Sequence, residues 1–445
     1  MKVMFVSLGC DKNLVDSEMM LGMLYDAGME ITNDEDEADA VVVNTCCFIL
    51  DAKEESINAL IEYGELKKNG KCRALIACGC LAQRYKDEIH EQIPEVDAVI
   101  GTAAFDQLTE VLNAVLEKHP KDAMADIDTT LVCGKRRVST TGGYYAYLKI
   151  AEGCDKRCTY CIIPKVRGSY RSVPMETLLA EAAKLAESGV RELILVAQET
   201  TVYGKDIYGK KSLPRLLEEL CKIEELQWIR ILYCYPEEID DELIAVIQKE
   251  PKICHYLDIP IQHSEDYILQ RMGRRTNRLD LIRIISQLRN AVPDICLRTT
   301  LITGFPGETK ELFEGLKNFV SDMRFDRLGV FPYSAEEDTI AAGLPDQIPE
   351  EEKNRRRDVI MELQQQIAFD KAKGMLGQVV DVIVEGTIPD ENLLVARSYM
   401  DAPGVDGLVF IEDAPQLMSG TVAKVLITDS DDYDLIGGLV DEFTE

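Results

Sequence analysis

Tyr145-Ala146-Tyr147-Leu148-Lys149-Ile150 alternates as a strand does and runs through Ala151-Glu152 into Gly153-Cys154-Asp155-Lys156-Arg157-Cys158-Thr159-Tyr160-Cys161. Three cysteines thus sit on a loop leaving a strand's carboxyl end, the place where parallel α/β folds keep their active sites. The spacing suits three corners of a cubic iron-sulfur cluster, leaving one iron without a protein ligand and free to chelate a small molecule. A zinc knob that borrows a distant fourth ligand is the alternative that the triplet by itself leaves open.

Outward from this loop, strand patterns at residues 145–150, 192–197, 228–233, 256–261, 296–302 and 327–331 alternate with helical ones, such as 175–187 after Pro174 and before Gly189. Six such units predict an open, partial (β/α)6 TIM-type barrel. A charged helix over 350–373 trails it. Upstream, short apolar runs at 3–8, 40–43, 74–77 and 98–100 predict a small doubly wound α/β domain. Residues 120–143 are polar and aperiodic and read as a linker. Downstream, short strands at 379–385, 393–397, 407–411 and 420–427, parted by Gly, Pro and Asp turns, predict a small antiparallel β-barrel. The expected division is therefore 1–119 (α/β domain), 120–143 (linker), 144–373 (barrel with trailing helix) and 374–445 (small β-barrel), an α/β chain overall.

A length of 445 residues with 46% hydrophobic content accommodates two or three such domains. The apolar start at residues 3–8 is too short for a signal peptide before Asp11 and Lys12, and no later stretch is long enough to span a bilayer, so a cytoplasmic protein without a membrane partner is expected. Fourteen cysteines then read as metal ligands and reduced thiols. A net charge of −30 opposes attraction to phosphate backbones, so direct nucleic-acid binding is not expected and a basic protein partner fits better. Residues 376–445 carry fifteen Asp and Glu against Arg397 and Lys424, which makes the terminal barrel a poor holder of RNA.

The first domain has a second constellation. Cys10, Cys46 and Cys80 each follow an expected strand, in Ser7-Leu8-Gly9-Cys10, Val43-Asn44-Thr45-Cys46 and Ala77-Cys78-Gly79-Cys80. Adjacent parallel strands bring such residues to one edge, where three thiolates can hold another cluster, again with a free iron. Cys47 and Cys78 are rivals to their neighbours, because spacing does not say which thiol points at the metal. Cys72, Cys133, Cys221, Cys234, Cys254 and Cys296 suit the role of small buried hydrophobes.

The triplet resembles that of the radical S-adenosylmethionine superfamily, in which the open iron binds S-adenosylmethionine and an electron splits its sulfonium. Gly9-Cys10-Asp11-Lys12-Asn13-Leu14-Val15-Asp16-Ser17-Glu18, Asn44-Thr45-Cys46 and Gly79-Cys80-Leu81-Ala82-Gln83 resemble the three cysteine motifs of the methylthiotransferases within it. The resemblance covers the chain as an N-terminal methylthiotransferase domain, a radical barrel and a C-terminal TRAM domain. It implies two [4Fe-4S] clusters, one on Cys10, Cys46 and Cys80 and one on Cys154, Cys158 and Cys161, with S-adenosyl-L-methionine at the latter and an electron donor such as flavodoxin. The segments 11–18, 256–263 and 397–407 resemble the branch that modifies an aspartate of the twelfth small-subunit ribosomal protein more than the tRNA-modifying branch. Asp11 stands where proline is more frequent in that branch, and Glu199 where aspartate is.

The resemblance implies methylthio insertion at the β-carbon of that aspartate, an unactivated position at which a cofactor radical must remove the hydrogen. The resemblance further implies that one S-adenosylmethionine methylates a sulfur on the first-domain cluster and that a second, at Cys154, Cys158 and Cys161, makes the radical. Gln198, ending the second barrel strand, and Arg298, on the fifth, are candidates to contact S-adenosylmethionine. Thr303-Gly304-Phe305-Pro306-Gly307-Glu308 is a candidate rest for its adenine, and His263 a candidate rim residue, with structural roles as the alternative for all of them. Two readings compete with the whole: a tRNA adenosine methylthiotransferase, and a non-catalytic iron-sulfur electron carrier.

Overall fold

In the computed structural model, which describes residues 1–388, 393–412 and 417–440, the chain begins with a five-stranded parallel sheet. Its order is Glu30–Thr32, Lys2–Ser7, Ala40–Thr45, Ala74–Gly79, Ala98–Ile100. The two central strands are buried along their whole length because both faces are covered: Val42, Ile76 and Cys78 pack with Met19, Met20 and Leu24 of the helix Asp11–Asp26, while Val41, Val43, Leu75 and Ala77 pack with Leu60 of the helix Leu50–Asn69. The edge strand Glu30–Thr32 lies outside the sequence expectation. Its three residues are too few and too exposed to show alternation.

The central sheet has six parallel strands in the order Arg327–Pro332, Cys296–Thr303, Ile253–Asp258, Trp228–Ile231, Glu192–Val196, Tyr145–Lys149, so chain order is spatial order and the two ends are not paired. This is the open partial barrel. Helices return between strands and cover its outer face, where Leu148, Leu195, Ile229 and Leu297 meet Leu178, Leu216 and Leu288. Their starts are locally encoded: Asn277 and Asp280 form a capping box at Arg278–Ala291. One strand begins and ends three residues before the expected 256–261. Pro260 has no N–H for the ladder, and past it the chain regains a single parallel bridge, Gln262 to Leu301, with Gln262 at φ +70°.

The inner face of that sheet is not a separate core. Tyr147, Ile194, Val196, Trp228, Tyr256 and Cys296 share one buried cluster with Val3, Val42 and Ile76 of the first domain and with Ile383 and Ala402 of the third. The expected linker lacks helix and strand through residues 117–144 but is a fixed strap. Ala123 bridges Ile100, the Val138 N–H donates to the Glu18 carbonyl, and Arg137 donates to Glu181 at 2.6 Å and to the Tyr147 carbonyl at 2.7 Å while pairing with Glu18.

After the helix Glu350–Gly374 comes a closed barrel of Val379–Ile388, Leu393–Ser398, Val409–Ile411, Asp434–Leu439 and Val422–Asp431. All its pairings are antiparallel except Val409–Ile411 with Asp434–Leu439, which is parallel and was not part of the antiparallel expectation. That closing strand escaped the sequence reading because Gly437-Gly438 breaks its pattern. A Cβ on Gly437 would stand 2.4 Å from the Leu426 carbonyl oxygen. Residues 389–392, 413–416 and 441–445 lie outside the described residues.

The terminal barrel is seated on the central sheet by buried charge. Glu192 accepts from Arg230 Nε at 2.7 Å and from Arg397 Nη2 at 2.6 Å, with all three side chains fully buried. The segment 397–407, quoted above as a family signature, is the rest of this seat: Arg397 donates to the Asp401 carbonyl, Arg230 to the Tyr399 carbonyl, Arg327 to the Asp401 carboxylate, and the Tyr256 hydroxyl to Asp406 at 2.8 Å.

Candidate active site

The triplet loop is built by backbone constraints on both sides. Ala151–Glu152 pairs antiparallel with Arg171–Ser172, which closes the loop at its base, and the Cys154 N–H donates to the Gly168 carbonyl at 3.0 Å. Gly153 has φ +77°, and a Cβ there would meet the Ser169 carbonyl oxygen at 2.1 Å. Gly153→Ala is expected to cost at least about 2 kcal/mol and to reduce iron incorporation, measured by thermal unfolding and iron content; an alanine variant with wild-type values for both would contradict this. The Cys161 N–H donates to the Cys158 carbonyl, and Thr159 is held through its N–H and hydroxyl by the carbonyls of Met272 and Arg271. Cys154 and Cys158 are buried and Cys161 is half-buried. Burial pushes the thiols of Cys154 and Cys161 up to about 12, and neighbouring members of the set add to it. Such thiols stay protonated until a metal replaces the proton.

The first-domain set stands at the carboxyl ends of three adjacent strands. Cys10 precedes the helix Asp11–Asp26 and Cys80 opens the short helix Cys80–Arg84. Gly9 and Gly79, at φ +93° and +91°, let the loops close up: a Cβ on Gly9 would lie 2.8 Å from Cys46 Cβ, and one on Gly79 would lie 2.3 Å from Asn44 Oδ1. The other motif residues are the frame. Asn13 donates to the carbonyls of Leu8 and Thr45, Asn44 to the Asn13 carbonyl and Ser17, and Thr45 to the Cys78 carbonyl. Cys46 is pushed up to about 12 by burial and then by Cys80 and Cys10, and Cys80 is raised by burial. The three therefore feel one another's charge. Of the rivals, Cys78 lies in the core with its thiol on the Val43 carbonyl and Met20, and Cys47 is fully buried among Val43, Leu60 and Leu81. Among the described residues no three His, Cys, Asp or Glu side chains stand close enough to hold a single metal ion. A cubic cluster carries its thiolates on separate irons and takes a wider triangle.

The two sets are joined. Arg167, six residues past Cys161, donates from Nε to Cys80 Sγ at 3.3 Å, from Nη1 to Asp16 at 2.7 Å and Glu152 at 3.1 Å, and from Nη2 to Asn13 at 2.7 Å. Lys149 donates to Glu152 at 2.8 Å and pairs with Asp16. Burial raises the Glu152 carboxyl, but Lys149 and Arg167 outweigh it and hold the group below its ordinary value. On the far side, Tyr235 brings its hydroxyl 3.7 Å from Cys158 Sγ while Tyr233, two residues earlier, donates to Asp11 at 3.0 Å and lies under the Lys12 ammonium.

Of the candidate cofactor contacts, Gln198 is brought to this group: its Nε2 donates to Glu152 at 2.9 Å, while its buried Oε1 has no partner among the described residues. Arg298 is placed elsewhere, in ion pairs with Asp258 at 3.1 Å and Asp406 at 3.4 Å. The 303–308 turn backs the triplet, with Phe305 buried edge-on to Tyr160 and Glu308 paired with Arg356 at 3.2 Å. His263, past the end of the strand Ile253–Asp258, is fully buried, its Nδ1 accepting from the Glu265 N–H at 3.0 Å and its Nε2 lying 3.5 Å from Glu308. Glu199 is buried, and burial pushes its carboxyl up to about 7 against the pull of Lys156 and Thr201, with Glu237 and Glu238 adding to the rise. A raised folded-state value gives stability that is full below the ordinary carboxylate range and lost as pH rises through about 7, ~3 kcal/mol in all. Glu199→Gln is expected to flatten the melting temperature between about pH 5 and 8; an unchanged slope would contradict the assignment.

Arg167, Lys149, Glu152 and Tyr235 were missed by sequence reasoning. The available signal was Lys149 and Glu152, two charges bracketing a strand end just before the triplet, where burial demands partners.

Residues 2–101 match the model of the Uncharacterized protein family UPF0004, residues 148–320 that of the Radical SAM superfamily and residues 376–440 that of the TRAM domain. The ribosomal protein uS12 methylthiotransferase RimO of Lachnoclostridium phytofermentans is 59% identical over 98% of this chain and 99% of its own, and that of Clostridioides difficile is 47% identical over 99% of each. Among solved structures, the radical S-adenosylmethionine methyltransferase TsrM of Kitasatospora setae, with tryptophan and a cofactor analogue bound, aligns with TM-score 0.55 at 15% identity over 74% of this chain and 72% of that one, a likeness of fold. With near-complete coverage at such identity, this chain belongs to the RimO family of ribosomal protein uS12 methylthiotransferases.

Proposed function

We propose that the chain inserts a methylthio group at the β-carbon of an aspartate of ribosomal protein uS12, using S-adenosylmethionine and two [4Fe-4S] clusters. The activity of its relatives, methylthiotransferases of ribosomal protein uS12, supports the reaction and substrate. What carries the two-cluster reading is the pair of cysteine triads at the carboxyl ends of two parallel sheets, joined through one buried arginine. On this reading residues 1–119 present the sulfur, 120–143 strap that domain to the 144–373 barrel, and 374–445 receive the substrate.

Cys154, Cys158 and Cys161 would hold one cluster and Cys10, Cys46 and Cys80 the other; both donor sets are thiols alone, as such clusters require. When bound, the first cluster would supply the electron that splits S-adenosylmethionine into methionine and a carbon-centred radical, and the second the sulfur to be inserted. The protein's own part is orientation and exclusion of water. Gln198, fixed through Nε2 by Glu152, offers its unpartnered Oε1 to an N–H or hydroxyl donor of S-adenosylmethionine. Tyr233 and Tyr235 wall the space beside the two triads. Exposed Glu412, Asp429, Asp431 and Asp432 on the terminal barrel suit a basic ribosomal protein better than a polynucleotide. No described helix is long and apolar enough to cross a membrane. The work is placed in the cytoplasm, where uS12 is made and an electron donor such as flavodoxin is at hand.

Mass spectrometry of uS12 and of total tRNA from a deletion strain is the test. Loss of the methylthio mass increment from uS12 with tRNA unchanged is expected. Loss from tRNA alone would reassign the substrate, and no loss from either would leave an electron carrier.

A further inference from the structure

We propose that Arg167 is a positioning residue for the sulfur-carrying site, its guanidinium donating to the sulfur of Cys80 and placing a positive charge where it favours the reduced, more negative state of the group held there. This rests on the assignment of Cys10, Cys46 and Cys80 as ligands of an iron-sulfur cluster. The side chain is 2% exposed, and its planar fork is oriented by acceptors on every side: Cys80 on Nε, Asp16 and Glu152 on Nη1, Asn13 on Nη2. A lysine could not meet all four, because its ammonium presents three donors from one point.

The surrounding charges explain the direction of the effect. Arg167 and Lys149 face Asp16 and Glu152, two cations against two anions, so the network is neutral before the cysteine is counted. Of the four, the positive Arg167 is the member in hydrogen-bond contact with the thiol. Donors and positive charge beside a cluster sulfur stabilise added electrons and raise the reduction potential.

The arginine also belongs, by chain, to the other site. The short helix Ile163–Val166 carries it straight on from Cys161, and Gly168, at φ +74°, turns the backbone so that its carbonyl receives the Cys154 N–H. One segment closes the triplet loop and reaches into the first domain. Displacement of the loop would therefore move the donor away from Cys80.

The test uses the full chain with Cys154, Cys158 and Cys161 replaced by alanine, so that one cluster remains, grown with arginine labelled by nitrogen-15 in the guanidinium and reduced anaerobically. Pulsed electron paramagnetic resonance is expected to show a weak nitrogen-15 coupling to the reduced cluster, lost in Arg167→Lys. The midpoint potential is expected to fall in Arg167→Lys and further in Arg167→Met. Iron present without the coupling in unsubstituted Arg167 protein overturns the proposal even should the variants not fold, as does an unchanged potential in a folded variant. Absence of iron from this background would instead defeat the assignment of Cys10, Cys46 and Cys80.

Discussion

Replacing Cys154, Cys158 and Cys161 together by alanine is expected to abolish cleavage of S-adenosylmethionine while leaving about half of the iron and sulfide in the anaerobically reconstituted protein. The complementary change of Cys10, Cys46 and Cys80 is expected to leave cleavage intact and abolish methylthio transfer. The two outcomes differ because the triads sit on separate sheets, each closed by its own glycine turns, and meet through side chains rather than shared ligands. Loss of all iron from either variant would show one shared centre, and retention of cleavage without the triplet would remove the radical site from it. Cys47→Ala and Cys78→Ala serve as controls, since both thiols are packed in the first domain's cores.

The second large effect is on stability. Glu192→Gln is expected to cost about 3–5 kcal/mol, because it leaves Arg230 and Arg397 buried beside each other without the carboxylate that separates them. Burial alone would raise the Glu192 carboxyl, but the two guanidiniums outweigh it and hold it below the ordinary range. A lowered folded-state value means stability that is full above the ordinary carboxylate range and fades as pH falls below it. Denaturant unfolding of wild type and variant at pH 7 checks the magnitude, and a difference under about 1 kcal/mol would show that the seat of the terminal barrel does not depend on this pair.

The elements legible in the sequence are those whose signal is local. The strand before the triplet, the helix Met175–Glu187 between Pro174 and Gly189, and the runs Val41-Val42-Val43 and Ala74-Leu75-Ile76-Ala77 all declare themselves by pattern and punctuation. Glu30–Thr32 and Asp434–Leu439 do not, since one is a short polar edge and the other is glycine-broken where the barrel closes. The cysteines were legible because each triad follows strand ends; choosing Cys46 over Cys47 and Cys80 over Cys78 needed the family resemblance. Illegible was everything made by docking. Arg167 on Cys80, Arg397 on Glu192 and the burial of His263 depend on partners 87, 205 and 45 residues away in the chain, a separation at which pattern carries no information. The segment 397–407 is instructive in this respect: quoted as a signature of a branch, it proves to hold one domain onto another.

Mössbauer spectroscopy of the wild-type chain, reconstituted with iron-57 under anaerobic conditions, tests the central claim most directly. About eight irons per chain in two cubic clusters are expected, each with one iron distinct from the other three, and addition of S-adenosylmethionine should change the distinct iron of the Cys154-Cys158-Cys161 cluster. A single cluster per chain, or four protein-ligated irons of one kind in either cluster, would contradict it.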